Sequence, residues 1–205
     1  TEAFQHGLNQ YLNTHAYACA DSPHLWDALE AASGKPVSAI MKRWVEQAGH
    51  PLITVNRDSK HLTLSQQRFA YLPTDDETRW PVPLVIRVWD TDGSSRVITE
   101  NFDGAQMSLE LDADVAAYKI NDAEVGFYRV AYDDTENFDT LCDMIGQKQL
   151  SPIDRWGIQN DRYALVKSGR IALDAYLNDL SHYADEDHPL PLSGIIGNLF
   201  QLYLV

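Results

Sequence analysis

The sequence predicts a mixed, multi-domain chain: an α-helical segment, an antiparallel β-sandwich of about seven strands, and a second α-helical segment. Three observations predict it. Apolar residues recur at helical spacing up to residue 49 and again from residue 134. Between those points the period drops to two, with turn residues recurring roughly every 8–12 positions. The two switches coincide with residues that stop one pattern and start another, Gly49 with Pro51 and then the polar run DDTEN. The segments therefore read as 1–49, 50–133 and 134–205.

In the first segment, Phe4, Leu8, Tyr11, Leu12 and His15 form one helical stripe. Asp21-Ser22-Pro23 offers a cap and then a proline at the first helical position, opening a helix that carries Leu25, Trp26 and Leu29 and stops near Gly34. Pro36 starts a third helix with Val37, Ile40, Met41, Trp44 and Val45 on one face. A fully buried Trp44 would make Trp44→Ala cost about 3–5 kcal/mol. Gly49 can take the left-handed conformation that ends a helix, and Pro51 cannot continue one.

Strands follow. Leu52, Ile53 and Val55 form a short run, RDSK a turn, and Leu62 and Leu64 alternate with Thr63 and Ser65. VPLVIRVWD puts Leu84, Ile86 and Val88 on one face and Val85, Arg87 and Trp89 on the other, and TDGSS signals a hairpin. Further strands are expected at 95–102, 106–112, 116–120 and 126–132. In the third segment Phe138, Leu141, Cys142 and Ile145 share a helical face. Ser151-Pro152 caps the next helix, with Asp154 favouring its positive end and Ile153, Trp156 and Tyr163 along it. Gly169 breaks that helix, and Ile171, Leu173, Leu177 and Leu180 continue in another. ADEDHPLP reads as a loop before the strongly apolar run LSGIIGNLFQLYLV. An apolar end at Leu204-Val205, like the helical start at Phe4, wants a neighbour to bury it, so the chain is expected to be a slice of something longer.

Composition narrows the function. The chain has 205 residues, 44% of them hydrophobic, and a formal net charge of -14 from 30 acidic and 16 basic residues. Such a field repels phosphates, so neither nucleic acid nor an anionic membrane is expected as partner. No apolar run approaches the ~20 residues that span a bilayer. Cys19 and Cys142 form no CxxC; Cys142 reads as a small buried side chain, and a cytoplasmic location is the default.

The search for chemistry returns little. Seven histidines include none paired as in HExxH, where two imidazoles four apart would face one metal. His182 and His188 lie near Asp185, Glu186 and Asp187, which read as a solvated acidic loop. Asp75-Asp76-Glu77 reads as an exposed turn without the glycine of an EF-hand. There is no GxSxG elbow, P-loop or GxGxxG after a strand. Trp26, Trp44, Trp80, Trp89 and Trp156 fit core positions better than a ligand groove.

Several runs, in order along the chain, carry a family resemblance. LWDALEAASGKPVSAIMKRWVEQAGHPLITV carries Trp26, the SGKPV at 33–37, Met41, Trp44, Gln47, Gly49, Pro51 and Val55. LTLSQQRF matches through Gln66 or Gln67, Arg68 and Phe69, and WPVP through Trp80 to Pro83. KINDAEVGFYRVAY matches through Lys119, Asn121, Gly126, Tyr128, Arg129, Val130 and Tyr132. LSPIDRWGIQNDRYALVKSGRI matches through Leu150, Asp154, Arg155, Gly157, Asp161, Leu165 and Gly169.

Together these runs resemble the zinc aminopeptidases of the aminopeptidase N type, the gluzincin aminopeptidases, and the resemblance implies the tail of a thermolysin-like catalytic domain, a β-sandwich domain, and the start of a C-terminal superhelical α-domain. It implies that the parent uses zinc, held by HExxH and a distal Glu, to remove N-terminal residues from peptides. Those ligands, a GxMEN-type segment and a transition-state Tyr would all lie upstream of the matching region. No catalytic or metal residue is therefore expected in this chain, no zinc is expected to bind it, and no substrate contact is assigned. Its expected partners are the remaining domains and, for the parent, peptide substrates. Arg129 and Arg155 are expected to pair with acids such as Asp154 or Asp161 at domain junctions. The alternative is a relative without zinc that keeps the scaffold for protein interaction; a free-standing sandwich-plus-helix protein would need polar, finished ends.

Overall fold

The structure, a computed structural model, describes residues 1–112 and 115–204. Val205, part of the expected apolar end, lies outside the described residues. Two compact units emerge, Thr1–Ala48 and Gly49–Val205.

The first unit is three helices, α1 (Glu2–Thr14), α2 (Ser22–Ser33) and α3 (Val37–Glu46). Buried Gly7 lets α1 approach α2 closely, since a Cβ there would lie 3.0 Å from the Ala28 carbonyl and from Leu29. Asp21 and His24 form a reciprocal box at the start of α2, and Gly34 ends it in left-handed backbone at φ 66°. Both follow from local chemistry. Glu30 accepts from the Ser38 N–H at 2.9 Å and so caps α3 from the preceding helix. The expected apolar face of α3 is only half-buried; none of its residues is fully enclosed, Trp44 included.

The second unit starts with the strands β1 (Pro51–Asp58), β2 (His61–Arg68), β3 (Val82–Asp90), β4 (Ser95–Phe102), β5 (Gln106–Glu110), β6 (Val115–Ile120) and β7 (Arg129–Tyr132). They make a four-stranded sheet ordered β5-β2-β1-β7 and a three-stranded sheet ordered β4-β3-β6. Val82, Leu84, Ile86 and Val88 alternate along β3 as buried residues, as do Leu62 and Leu64 along β2. That is the two-residue period in physical form. Hairpins close at Ser59 (φ 56°) and Gly93 (φ 86°). Gln66 ties the sheets' connection. Its amide donates to the Trp80 carbonyl at 3.0 Å and accepts from the Trp80 N–H at 2.6 Å.

Two expectations about the strands are corrected. The set is not purely antiparallel: β7 runs parallel to β1, with Ile53 opposite Val130 and Val55 opposite Tyr132. The last strand also begins at Arg129, not Gly126, because the preceding residues form a tight turn. That turn contains a short 3-10 segment, Asp122–Glu124.

The helices that follow are α4 (Thr135–Gly146), α5 (Pro152–Lys167), α6 (Leu173–Asp179) and α7 (Pro189–Tyr203), with a 3-10 turn at Leu180–Tyr183. Ser151 caps α5 by accepting from the Asp154 N–H. Gly169, at φ 70°, ends it. Phe138, Leu141, Cys142, Ile145, Ile158 and Ile195 belong to one buried cluster. Leu52, Phe69, Ala164 and Leu165 form another that joins strands to α5. In α6 the expected stripe is corrected: Leu173 and Leu177 are exposed, and the buried anchor is Tyr176. ADEDHPLP is a shorter loop than expected, since Pro189 already starts α7 behind the His188 cap.

Candidate functional site

The turn between β6 and β7 departs from ordinary backbone. Asn121, Ala123 and Glu124 all take left-handed conformations, at φ 63°, 55° and 52°. Such angles cost energy in residues with a Cβ, so surrounding bonds must hold them. Asn121 does so by side-chain pairing with Gly126, accepting from its N–H at 2.8 Å and donating to its carbonyl at 3.1 Å. Asp154, in the first turn of α5, accepts from the Ala123 N–H at 2.8 Å.

Lys119, the last residue but one of β6, has only 1% of its side chain exposed. Its Nζ donates to the Asn121 carbonyl at 2.7 Å and to Glu124 Oε1 at 2.7 Å. It also lies 2.9 Å from Asp154 Oδ1. A buried ammonium is tolerated only when its protons find such acceptors. Asp122 receives a bidentate Arg87 at 2.7 and 2.8 Å. One turn along α5 from Gly157, Asp161 accepts from Arg129 Nη1 and from the Val130 N–H, both at 2.9 Å. Arg129 also lies over the Phe69 ring.

Burial dominates the electrostatics. It pushes the Glu124 carboxyl up to about 7, against the pull of Lys119 and with help from the neighbouring Asp161 and Asp154 charges. It pushes Asp161 up to about 6, against Arg129 and the Val130 N–H. The space left among Lys119, Glu124, Asp161 and Arg162 is about 10 Å³, room for about one water at most. The acids of the network are largely buried, with Glu124, Asp154 and Asp161 side chains 14%, 9% and 12% exposed.

The two arginines singled out in the sequence divide. Arg129 pairs with Asp161 as expected. Arg155 does not pair with either expected acid: it faces Glu186, at 2.5 and 2.8 Å, and donates to the Leu150 carbonyl. The pair is almost fully enclosed, which corrects the reading of 185–187 as a wholly solvated loop. Hydrogen bonding from Arg155 holds Glu186 down to about 2. Asp187 does stay exposed, against Lys148, and His188 Nδ1 accepts from the Leu190 N–H. In the 75–77 stretch Asp76 pairs with Arg68. Of the tryptophans only Trp80 is fully buried; Trp26, Trp44, Trp89 and Trp156 are half-buried.

Sequence reasoning treated Lys119 and Asn121 only as motif letters, and it gave no role to Glu124, Asp122 or Arg87. The available signal was their grouping: a lysine, an asparagine and two acids within six residues, followed by a glycine.

Among the described residues, no group of three or more His, Cys, Asp or Glu could hold a metal ion. The junction carboxylates already accept from Lys119, Arg87, Arg129 and main-chain N–H groups. This donor set does not fit zinc. Also among the described residues, no helix is long and apolar enough to cross a membrane.

Strands and helices are thus bolted together by two sequence runs, 119–132 and 150–169, and both are runs through which the chain resembles zinc aminopeptidases. The class these runs define is that of the aminopeptidase N-type peptidases. The comparisons agree. The profile described as "Peptidase family M1 domain" matches residues 1–44, and "ERAP1-like C-terminal domain" matches residues 117–205. The chain belongs to the M1, aminopeptidase N-type family and covers its C-terminal part. It is 34% identical over its whole length to the Tricorn protease-interacting factor F2 of Thermoplasma volcanium, covering 24% of that protein. It is 30% identical over its whole length to Probable aminopeptidase 2 of Sulfurisphaera tokodaii, covering 25% of it. Aminopeptidase M1 of Arabidopsis thaliana is 32% identical over 95% of the chain, which spans 23% of that relative. The chain therefore spans about a quarter of the length of these relatives.

Proposed function

We propose that this chain is a non-catalytic portion of a zinc-dependent aminopeptidase that removes N-terminal residues from peptides. In this reading 1–49 is the helical tail of the catalytic domain, 50–133 a β-sandwich domain and 134–205 the start of the helical domain. The chain supplies support and part of the wall around the peptide. It carries no catalytic or metal residue, and it works in the cytoplasm with the remaining domains of its parent. The observation that carries this is the junction between strands and α5, where Lys119, Arg129 and Arg87 are each paired with a carboxylate of the same chain. Ions paired in this way hold elements in place. The names of relatives, aminopeptidases among them, support the parent's chemistry. The test is metal analysis of the purified chain with an aminoacyl-anilide assay. Neither stoichiometric zinc nor turnover is expected; turnover abolished by a chelator would overturn the reading.

A second reading is a relative without zinc that serves as a protein-interaction scaffold. It is favoured by the name of two relatives, Tricorn protease-interacting factor F2. Assay of the complete parent separates the two: chelator-sensitive hydrolysis supports the enzyme, and inactive protein with a bound protein partner supports the scaffold.

A further inference from the structure

Acids outnumber bases in this chain, 30 against 16, and its arginines use them. Arg68 is paired with Asp76 and Arg162 with Asp179. Arg87, Arg96, Arg129 and Arg155 each have a carboxylate of the chain as well. Among the described residues Arg170 has none. Its guanidinium meets the neutral side chain of Gln67, whose amide, turned oxygen-first, accepts from Nη1 at 2.9 Å and from Nη2 at 3.3 Å. The backbone at this arginine is fixed too: Gly169 takes its left-handed turn after α5, and the Arg170 N–H donates to the Leu165 carbonyl at 2.9 Å.

Arg170 stands where two open clefts meet, and it lines both of them together with Gln67. One, of about 270 Å³, lies between the end of β2 and the loop that follows it. The other, of about 450 Å³, lies over β1 and β2 beside α5. The clefts offer apolar surface at Leu72, Leu165 and Ile171 and hydroxyl groups at Thr54 and Ser65. Two acids line them. Asp76 is taken by Arg68, and Asp133 makes no ion pair with Arg170.

This lining selects a ligand chemistry. A guanidinium is a planar fork that matches the two oxygens of a carboxylate. One uncommitted cation compensates one negative charge. A phosphate dianion would leave an excess beside Asp76 and Asp133, on a chain whose net charge is already -14. The apolar residues suit an aliphatic body attached to the anionic group. We propose that the paired clefts at Arg170 bind a singly charged aliphatic carboxylate, with Arg170 gripping its oxygens and Gln67 holding the guanidinium in position. The proposal stands whether or not the parent is an aminopeptidase.

The test is nitrogen NMR of the 205-residue chain, read at the Arg170 side chain and the Ser168 backbone amide. Sodium butyrate, a tripeptide Ala-Glu-Ala blocked at both ends, phosphate and chloride are each titrated at constant ionic strength. Butyrate is expected to shift both signals saturably, and chloride to leave them in place. Saturation by the tripeptide as well extends the site to acidic side chains of peptides; saturation by butyrate alone assigns it to small free carboxylates. Arg170→Gln removes the cation, and Gln67→Glu supplies a carboxylate of the chain in the ligand's place. Each is expected to weaken butyrate binding about tenfold. Both positions are exposed, so neither change threatens the fold. Shifts that grow linearly with every salt, tighter binding of phosphate than of butyrate, or butyrate binding unchanged in both variants would overturn the proposal.

Discussion

Gly157 leaves the space that Glu124 occupies: a Cβ at position 157 would lie 2.1 Å from both the Cδ and the Oε1 of Glu124. The glycine sits inside α5, where alanine would ordinarily gain about 1 kcal/mol in helix propensity. Here the gain is outweighed. A methyl group must push the Glu124 carboxyl off Lys119, whose ammonium is buried. Gly157→Ala is expected to destabilise the chain by about 2–4 kcal/mol, overpacking and a disrupted ion pair together. Urea denaturation measures it. A midpoint that rises would show that the helix glycine has no steric role.

The Arg129–Asp161 pair joins β7 to α5, and each partner is largely buried. Removing one leaves the other's charge enclosed. Asp161→Ala also deprives the Val130 N–H of its acceptor. The expected cost is about 2–4 kcal/mol for either Asp161→Ala or Arg129→Ala, with the double variant costing less than the sum. A double-mutant cycle in chemical denaturation checks this. Strict additivity would mean that the two side chains do not interact in solution.

How much of this was legible follows from the range of the interactions. Caps were, because Asp21-Ser22-Pro23 and Ser151-Pro152 act on neighbours within one turn. Strands β2 and β3 were, because burial on one face imposes alternation. The parallel pairing of β1 with β7 was not, since it joins residues some 75 positions apart and nothing local encodes the direction. Arg155 was misassigned for a geometric reason. Asp154 is its sequence neighbour, but adjacent residues on a helix point in different directions. Its carboxylate comes from Glu186, 31 residues on, in a stretch that composition alone presents as solvated. The charge network was hidden similarly, its ions spread over β3, β6, the 3-10 turn and α5.

The two cysteines should differ in reactivity. Cys19 is exposed, whereas Cys142 is buried in the helical core, and burial pushes its thiol up to about 12. The thiolate is the reacting species. A disulfide reagent near pH 8 is expected to modify Cys19 alone in the folded chain and both residues after denaturation. Rapid native labelling of Cys142 would mean that the α4 core opens readily.

Acid should act on the chain through the other enclosed pair. Arg155 grips both oxygens of Glu186, and the side chains are 5% and 2% exposed. This bonding lowers the Glu186 carboxyl from 4.5 to about 2, a shift worth roughly 3 kcal/mol of folded-state stability. The unfolded chain binds the proton first on acidification. The contribution is therefore complete above about 4.5 and disappears as pH falls through about 2. Glu186→Gln should remove it by leaving Arg155 with a neutral partner, while the Tyr183 hydroxyl still donates to the Arg155 carbonyl. The stability difference between wild type and variant is expected to be largest near pH 5 and to shrink steadily toward pH 2. A difference that stays constant from pH 5 to 2 would show that Glu186 is not held as a carboxylate by Arg155.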